Sequence, residues 1–152
     1  MVSRREWLRL TVSGAAVAVA GGALPAFAES PTAITVYKDP SCGCCKKWVE
    51  YMRANGFAVT THDMNDLSEV KATFGVPKAL QSCHTATTGQ YVVEGHVPAD
   101  LVQKMLREHA KIAGLAVPGM VTGSPGMEGG TKQSYDVIAF SKNGATSVYA
   151  KR

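Results

Sequence analysis

The chain is 152 residues long, 45% hydrophobic and 18% charged, with a formal net charge of +4. This is ordinary for a folded domain with a core of its own, and the chain holds no internal repeat and no low-complexity segment. Arg4, Arg5 and Arg9, with Glu6 among them, lie in the first ten residues, so the remainder carries only about +2; with no basic patch interleaved with aromatics, no nucleic-acid partner is expected.

Residues 1–28 read as an export signal. A basic start is followed by an apolar run over 10–24, mostly Ala, Val and Gly, which ends in the small-x-small cleavage pattern Ala26-Phe27-Ala28. Cleavage after Ala28 leaves one domain, 29–152. Ser3-Arg4-Arg5-Glu6-Trp7-Leu8-Arg9 has the form of a twin-arginine box, with Trp where Phe is usual and Arg where Lys is usual. The run is short and Gly-rich for a spanning helix of ~20 apolar residues, so a periplasmic product without stable membrane insertion is expected. The twin-arginine route carries folded proteins, often with a cofactor inside, and a metal bound before export would protect thiols from oxidation outside.

Ser30-Pro31-Thr32-Ala33 is a short tether. The β-rich run 34–37 predicts a buried first strand, broken by Lys38-Asp39-Pro40-Ser41. A helix over 45–55 follows, with Asp39 or Ser41 as its cap. Cys45, Trp48, Val49 and Met52 share one face, and Asn55-Gly56 ends it. A second strand is expected over 57–62, a second helix over 66–74, and two antiparallel strands over 81–86 and 90–94. Pro98 opens a third helix, running to about 112, with Leu101, Val102, Met105 and Leu106 as its apolar stripe. Residues 114–130 read as a loop bearing Met120 and Met127. Asn143-Gly144 between apolar runs predicts a closing hairpin over 135–140 and 146–149.

Ser41-Cys42-Gly43-Cys44-Cys45-Lys46-Lys47 is the densest chemistry in the chain. Three of its four cysteines fall there, and the fourth, Cys83, precedes His84. A C-x-x-C turn after the first strand, opening the first helix of a β-α-β-α-β-β-α order, predicts an α/β (α+β sandwich), thioredoxin-like domain with an added C-terminal β-hairpin. Val76-Pro77 sits where that fold commonly has its cis-proline loop, which would bring Cys83 near the other cysteines. A helix N-terminus lowers thiol pKa, so Cys42, Cys44 and Cys45 are placed to be thiolates. A redox pair needs only two thiols, and Cys42 with Cys45 would serve. Cys44 is then surplus, which a metal explains better than a disulfide does. Soft sulfur ligands favour Cu(I) ahead of zinc or an iron–sulfur cluster. His84 and His96 add imidazole, and Met120 and Met127 add thioether, a set that suits both Cu(I) and Cu(II). Met52, Met105 and Trp48 read as core, and Met64, His62 and His109 as surface.

These stretches together resemble a family of small secreted proteins, first defined as a domain of unknown function, that includes the CopG-type copper-resistance proteins. The resemblance rests on Asp39-Pro40-Ser41-Cys42-Gly43-Cys44-Cys45, Ser82-Cys83-His84-Thr85-Ala86 and Glu94-Gly95-His96-Val97-Pro98. It extends to Gly114-Leu115-Ala116-Val117-Pro118-Gly119-Met120 and Gly123-Ser124-Pro125-Gly126-Met127-Glu128. It implies a thioredoxin-like fold, a periplasmic location and copper held at Cys42, Cys44, Cys45 and Cys83, with His84, His96 and Met120 in further motifs of the family. Val121 stands where the family usually has Pro, which loosens the methionine loop. The expected function is copper resistance or homeostasis, with other periplasmic copper-handling proteins as partners. The competing readings are a thiol–disulfide oxidoreductase in which Cys42 attacks and Cys45 resolves, and a disulfide-stapled interaction module.

Overall fold

The computed structural model describes residues 30–152; the expected export segment lies outside them. The elements are β1 (Thr32–Lys38), α1 (Gly43–Ala54), β2 (Phe57–Asp63), α2 (Ser68–Thr73), a 3-10 turn (Lys78–Leu80), β3 (His84–Thr88), β4 (Tyr91–Glu94), α3 (Ala99–Arg107), β5 (Gly114–Ala116), β6 (Asp136–Phe140) and β7 (Thr146–Lys151). The seven strands form one sheet in the order β2-β1-β3-β4-β5-β6-β7. β1 runs parallel to β2, and β4 to β5, while the remaining neighbours are antiparallel. The mixed α+β class and the C-terminal hairpin expected from the sequence are both present.

Strand residues alternate between faces, and that alternation sorts the apolar side chains into two cores. Val93 of β4, Leu115 of β5, and Val137 and Ala139 of β6 enter the larger one, with Trp48, Val49 and Met52 of α1 and Leu101, Val102 and Met105 of α3. Their chain neighbours Val92, Ala116 and Phe140 enter the smaller one, with Val76 and Leu80. The helical stripes read from the sequence are therefore the buried ones. Met52, Met105 and Trp48 are core as expected, and His62 and His109 are exposed.

Several boundaries differ, each for a local reason. The cap of α1 is Cys42, whose sulfur accepts from the Cys45 N–H at 3.3 Å, while the Asp39 carboxylate is taken by the Ser41 N–H at 2.7 Å. The third helix stops at Arg107 rather than near 112, because His109 turns left-handed at φ 47° and Ala110 N–H closes on the Met105 carbonyl. The loop expected over 114–130 begins with β5, a three-residue strand too short to carry a periodicity signal. The third strand starts at His84 rather than 81, which leaves Ser82 and Cys83 in the connection before it. Val76 packs into the smaller core and no cis peptide occurs among the described residues, so Val76-Pro77 is not a cis-proline loop, although Cys83 does lie beside the other cysteines as expected.

Candidate metal centre

Strand direction brings the site together. Lys38 ends β1 opposite His84, which begins β3; Thr85 pairs with Glu94, which ends β4; and Glu94 pairs with Ala116, which ends β5. The connections at 39–45, 82–83, 95–98 and 117–127 therefore all leave one edge of the sheet. Each carries candidate donors that the sequence spreads over more than eighty residues.

The sulfurs of Cys42, Cys44, Cys45 and Cys83 lie within 4.8 Å of one another. Cys42 and Cys45 are joined as a disulfide, and Cys44 and Cys83 are free thiols. The Cys44 sulfur sits 3.5 Å from that of Cys42, and the buried Cys45 sulfur faces the Cys83 carbonyl at 3.8 Å. Cys83 also belongs to a second group with His84 and His96, whose donor atoms likewise fall within 4.8 Å of one another. Cys83 Sγ is 3.1 Å from His96 Nε2 and 3.4 Å from His84 Nδ1.

The protons follow from these contacts. His96 Nδ1 donates to the Pro125 carbonyl at 2.8 Å, which leaves its Nε2 as a bare acceptor aimed at Cys83. Burial, then the neighbouring Cys44 sulfur, pushes the Cys83 thiol up to about 12. Burial holds His96 below the ordinary imidazole value, and burial with the His96 ring beside it holds His84 well below. At neutral pH the group is thus a thiol and two neutral imidazoles, with the Cys83 S–H donating to His96 Nε2. The His84 nitrogen that faces Cys83 is Nδ1, while its Nε2 is buried with no hydrogen-bond partner among the described residues. Sulfur and neutral imidazole together fit a soft or borderline cation.

The walls are built from residues the sequence reading placed in the core or left unassigned. Trp48 packs against His84 with ring centroids 4.5 Å apart and planes tilted by 44°, and donates its indole N–H to the Val97 carbonyl at 3.0 Å. Gly126, at φ 84°, lies so close to α1 that a Cβ there would stand 2.8 Å from the Trp48 nitrogen and 2.9 Å from the Cys44 carbonyl. The loop 117–127 is in this way laid over the helix tip. Within this loop the Val121 carbonyl accepts two hydrogen bonds from Ser124. Met127 follows Gly126 and is half-buried, whereas Met120 is 59% exposed. Six of the eight candidate donors therefore converge, and Met120 stands at the solvent side of the loop that covers them.

The sequence reading missed the polar layer beneath. Glu94, fully buried, accepts from Lys71 Nζ and from the Ser82 N–H, both at 2.6 Å, and from Thr85 Oγ1 at 2.7 Å. Its sequence signals were a glutamate closing the apolar strand Tyr91-Val92-Val93-Glu94 and the place of Glu94 at the head of the stretch Glu94-Gly95-His96-Val97-Pro98.

A family model described as a protein of unknown function, DUF411, matches residues 80–127, which contain Cys83, His84, His96 and both loop methionines. Two solved structures, of copper resistance protein CopG in form 2 and in form 1, are each 49% identical to this chain. Each superposes with a TM-score of 0.76 and covers 80% of this chain and 98% of its own. No curated protein matches by sequence.

Proposed function

The chain belongs to the family of copper resistance protein CopG, and on that premise we propose that it is a periplasmic copper-binding protein that carries Cu(I) on Cys42, Cys44, Cys45 and Cys83. His84 and His96 complete the donor set, and Met120 and Met127 extend it from the covering loop. The observation that carries this reading is the pair of donor groups sharing Cys83, each within 4.8 Å. Copper bound there would bring one-electron Cu(I)/Cu(II) chemistry, and interconversion of the two states belongs to the reading. The chain's own part is to supply soft donors: Cys83 must lose its hydrogen to solvent as the metal enters, which frees His96 Nε2, 3.1 Å away, from the S–H it accepted and leaves its lone pair to the metal.

The fold and location belong to the same proposal. A thioredoxin-like core is supported by the partial order β2-β1-β3-β4, with β1 parallel to β2 and antiparallel to β3, and by a C-x-x-C pair at the tip of α1. Export is supported by the leader at 1–28, and no helix among the described residues is long and apolar enough to cross a membrane. The takers of the metal are other periplasmic copper-handling proteins.

For all four sulfurs to act as ligands, the Cys42–Cys45 bond must take up two electrons and two protons and open to two thiols. The bridge itself favours a second reading, a thiol–disulfide oxidoreductase. Anaerobic Cu(I) titration of the reduced protein against a chromophoric chelator, with sulfur-edge spectra, separates the two. The wild type is expected to strip copper from the chelator, and C44S/C83S to lose most of that affinity. A reduced protein that leaves copper with the chelator, while C44S/C83S keeps full disulfide-exchange activity, would establish the second reading instead.

A further inference from the structure

Glu94 does more than neutralise a buried lysine. Its Oε1 accepts from Lys71 Nζ and from the Ser82 backbone N–H, and its Oε2 accepts from Thr85 Oγ1. Ser82 and Thr85 flank the pair Cys83-His84 on either side, so one carboxylate pins both ends of that donor segment. Lys71, 7% exposed, reaches across from α2 to bond Thr85 Oγ1 as well, at 3.0 Å, which closes the network.

The same residue is covalently two positions from His96. The intervening Gly95, at φ 69°, has no room for a side chain: a Cβ would stand 2.6 Å from the Val117 carbonyl and 2.7 Å from Ser82 Cβ. Gly95 N–H donates to the His84 carbonyl at 3.0 Å, and Val117 N–H donates to the Glu94 carbonyl at 3.0 Å. Ser82 Oγ then donates to the Gly119 carbonyl at 2.5 Å, tying on the methionine loop. Every segment that brings a donor to the second group, together with the loop above it, is thus referred to Glu94 by covalent or hydrogen-bonded links.

We propose that Glu94, with Lys71 as its counter-ion, is the positioning residue of the centre, holding Cys83 and His84 in register with His96 so that the three donors converge. This rests on the copper reading above for what the donors receive, but the clamp itself is a property of the metal-free protein. A carboxylate is needed because three donors converge on two acceptor oxygens; an amide keeps one acceptor oxygen and turns an N–H2 group toward donors. The partners that orient metal ligands typically govern about 10–100-fold in metal affinity.

Two variants test it, each measured with and without metal. Glu94→Gln leaves Lys71 buried without its counter-ion, and K71M/E94Q removes both charges, so that a folded protein is obtained even if the single variant fails to fold. Phe140→Leu, in the smaller core away from the donors, serves as a control for general destabilisation. Without metal, amide exchange at Ser82 is expected to quicken about tenfold or more in the Glu94 variants and to stay near wild type in the control. With Cu(I), affinity is expected to fall at least about tenfold, with loss of imidazole scattering at the copper edge, again without change in the control. Folded Glu94 variants that match wild type in Ser82 exchange and in imidazole scattering overturn the clamp. A wild type that takes no Cu(I) overturns the function proposed above, while faster Ser82 exchange in the variants still upholds the clamp.

Discussion

Cys83 and His96 fix how many protons the centre carries, and from them two outcomes follow. A thiol pushed up to about 12 is fully protonated at neutral pH, so copper must displace that proton. Apparent Cu(I) affinity of the reduced protein is therefore expected to rise by about a decade per pH unit for each thiol proton displaced, as chelator competition between pH 6 and 8 would show (about two decades over that range for Cys83 alone). The imidazoles act on stability with the opposite requirement. His84 and His96 sit below their ordinary value in the folded protein, chiefly through burial. The unfolded chain binds protons at about 6.5 that the folded chain refuses, so stability is lost as pH falls below that value. Urea midpoints of the apoprotein should accordingly drop from pH 7 to pH 5, and H84F, which keeps a ring beside Trp48, should flatten that dependence. At this scale the sequence named the candidate donors, because residue type alone carries donor chemistry. It did not give their protonation, which depends on burial and on neighbours remote in sequence.

At the scale of elements, the helix tip and the loop above it form one unit. Gly126→Ala would force a Cβ against the backbone of Trp48 and Cys44 and would strain a φ of 84°. The expected cost is about 1–3 kcal/mol of stability, read by thermal unfolding, together with weaker copper binding as the loop lifts from Cys44. The helices were legible because Cys45, Trp48, Val49 and Met52, and likewise Leu101, Val102 and Met105, repeat at helical spacing and each set buries one face. Strand β5 was not, since three residues hold no period, and its place in the sheet is set by pairing with Val92, Val93 and Glu94. The left-handed His109 that ends α3 early was likewise invisible, because glycine is the usual sequence sign of such a stop.

For the molecule as a whole, the Cys42–Cys45 bridge divides two states of the same donor set. Protein kept oxidised is expected to take up fewer Cu(I) equivalents than reduced protein, because two of its four sulfurs are tied to each other; parallel titrations with and without prior reduction would measure the difference. The sequence by itself determined the chemistry and the class: a sulfur cluster with two histidines, on an α+β chain with a closing hairpin. Those are legible because donor type, helical period and turn residues are local properties. Only the tertiary structure decided that 39–45, 82–83, 95–98 and 117–127 leave one sheet edge, that Cys83 serves two donor groups at once, and that a buried Glu94 stands beneath them. Those facts are set by strand order and register, and pairing between segments tens of residues apart leaves no mark in the local pattern of either one.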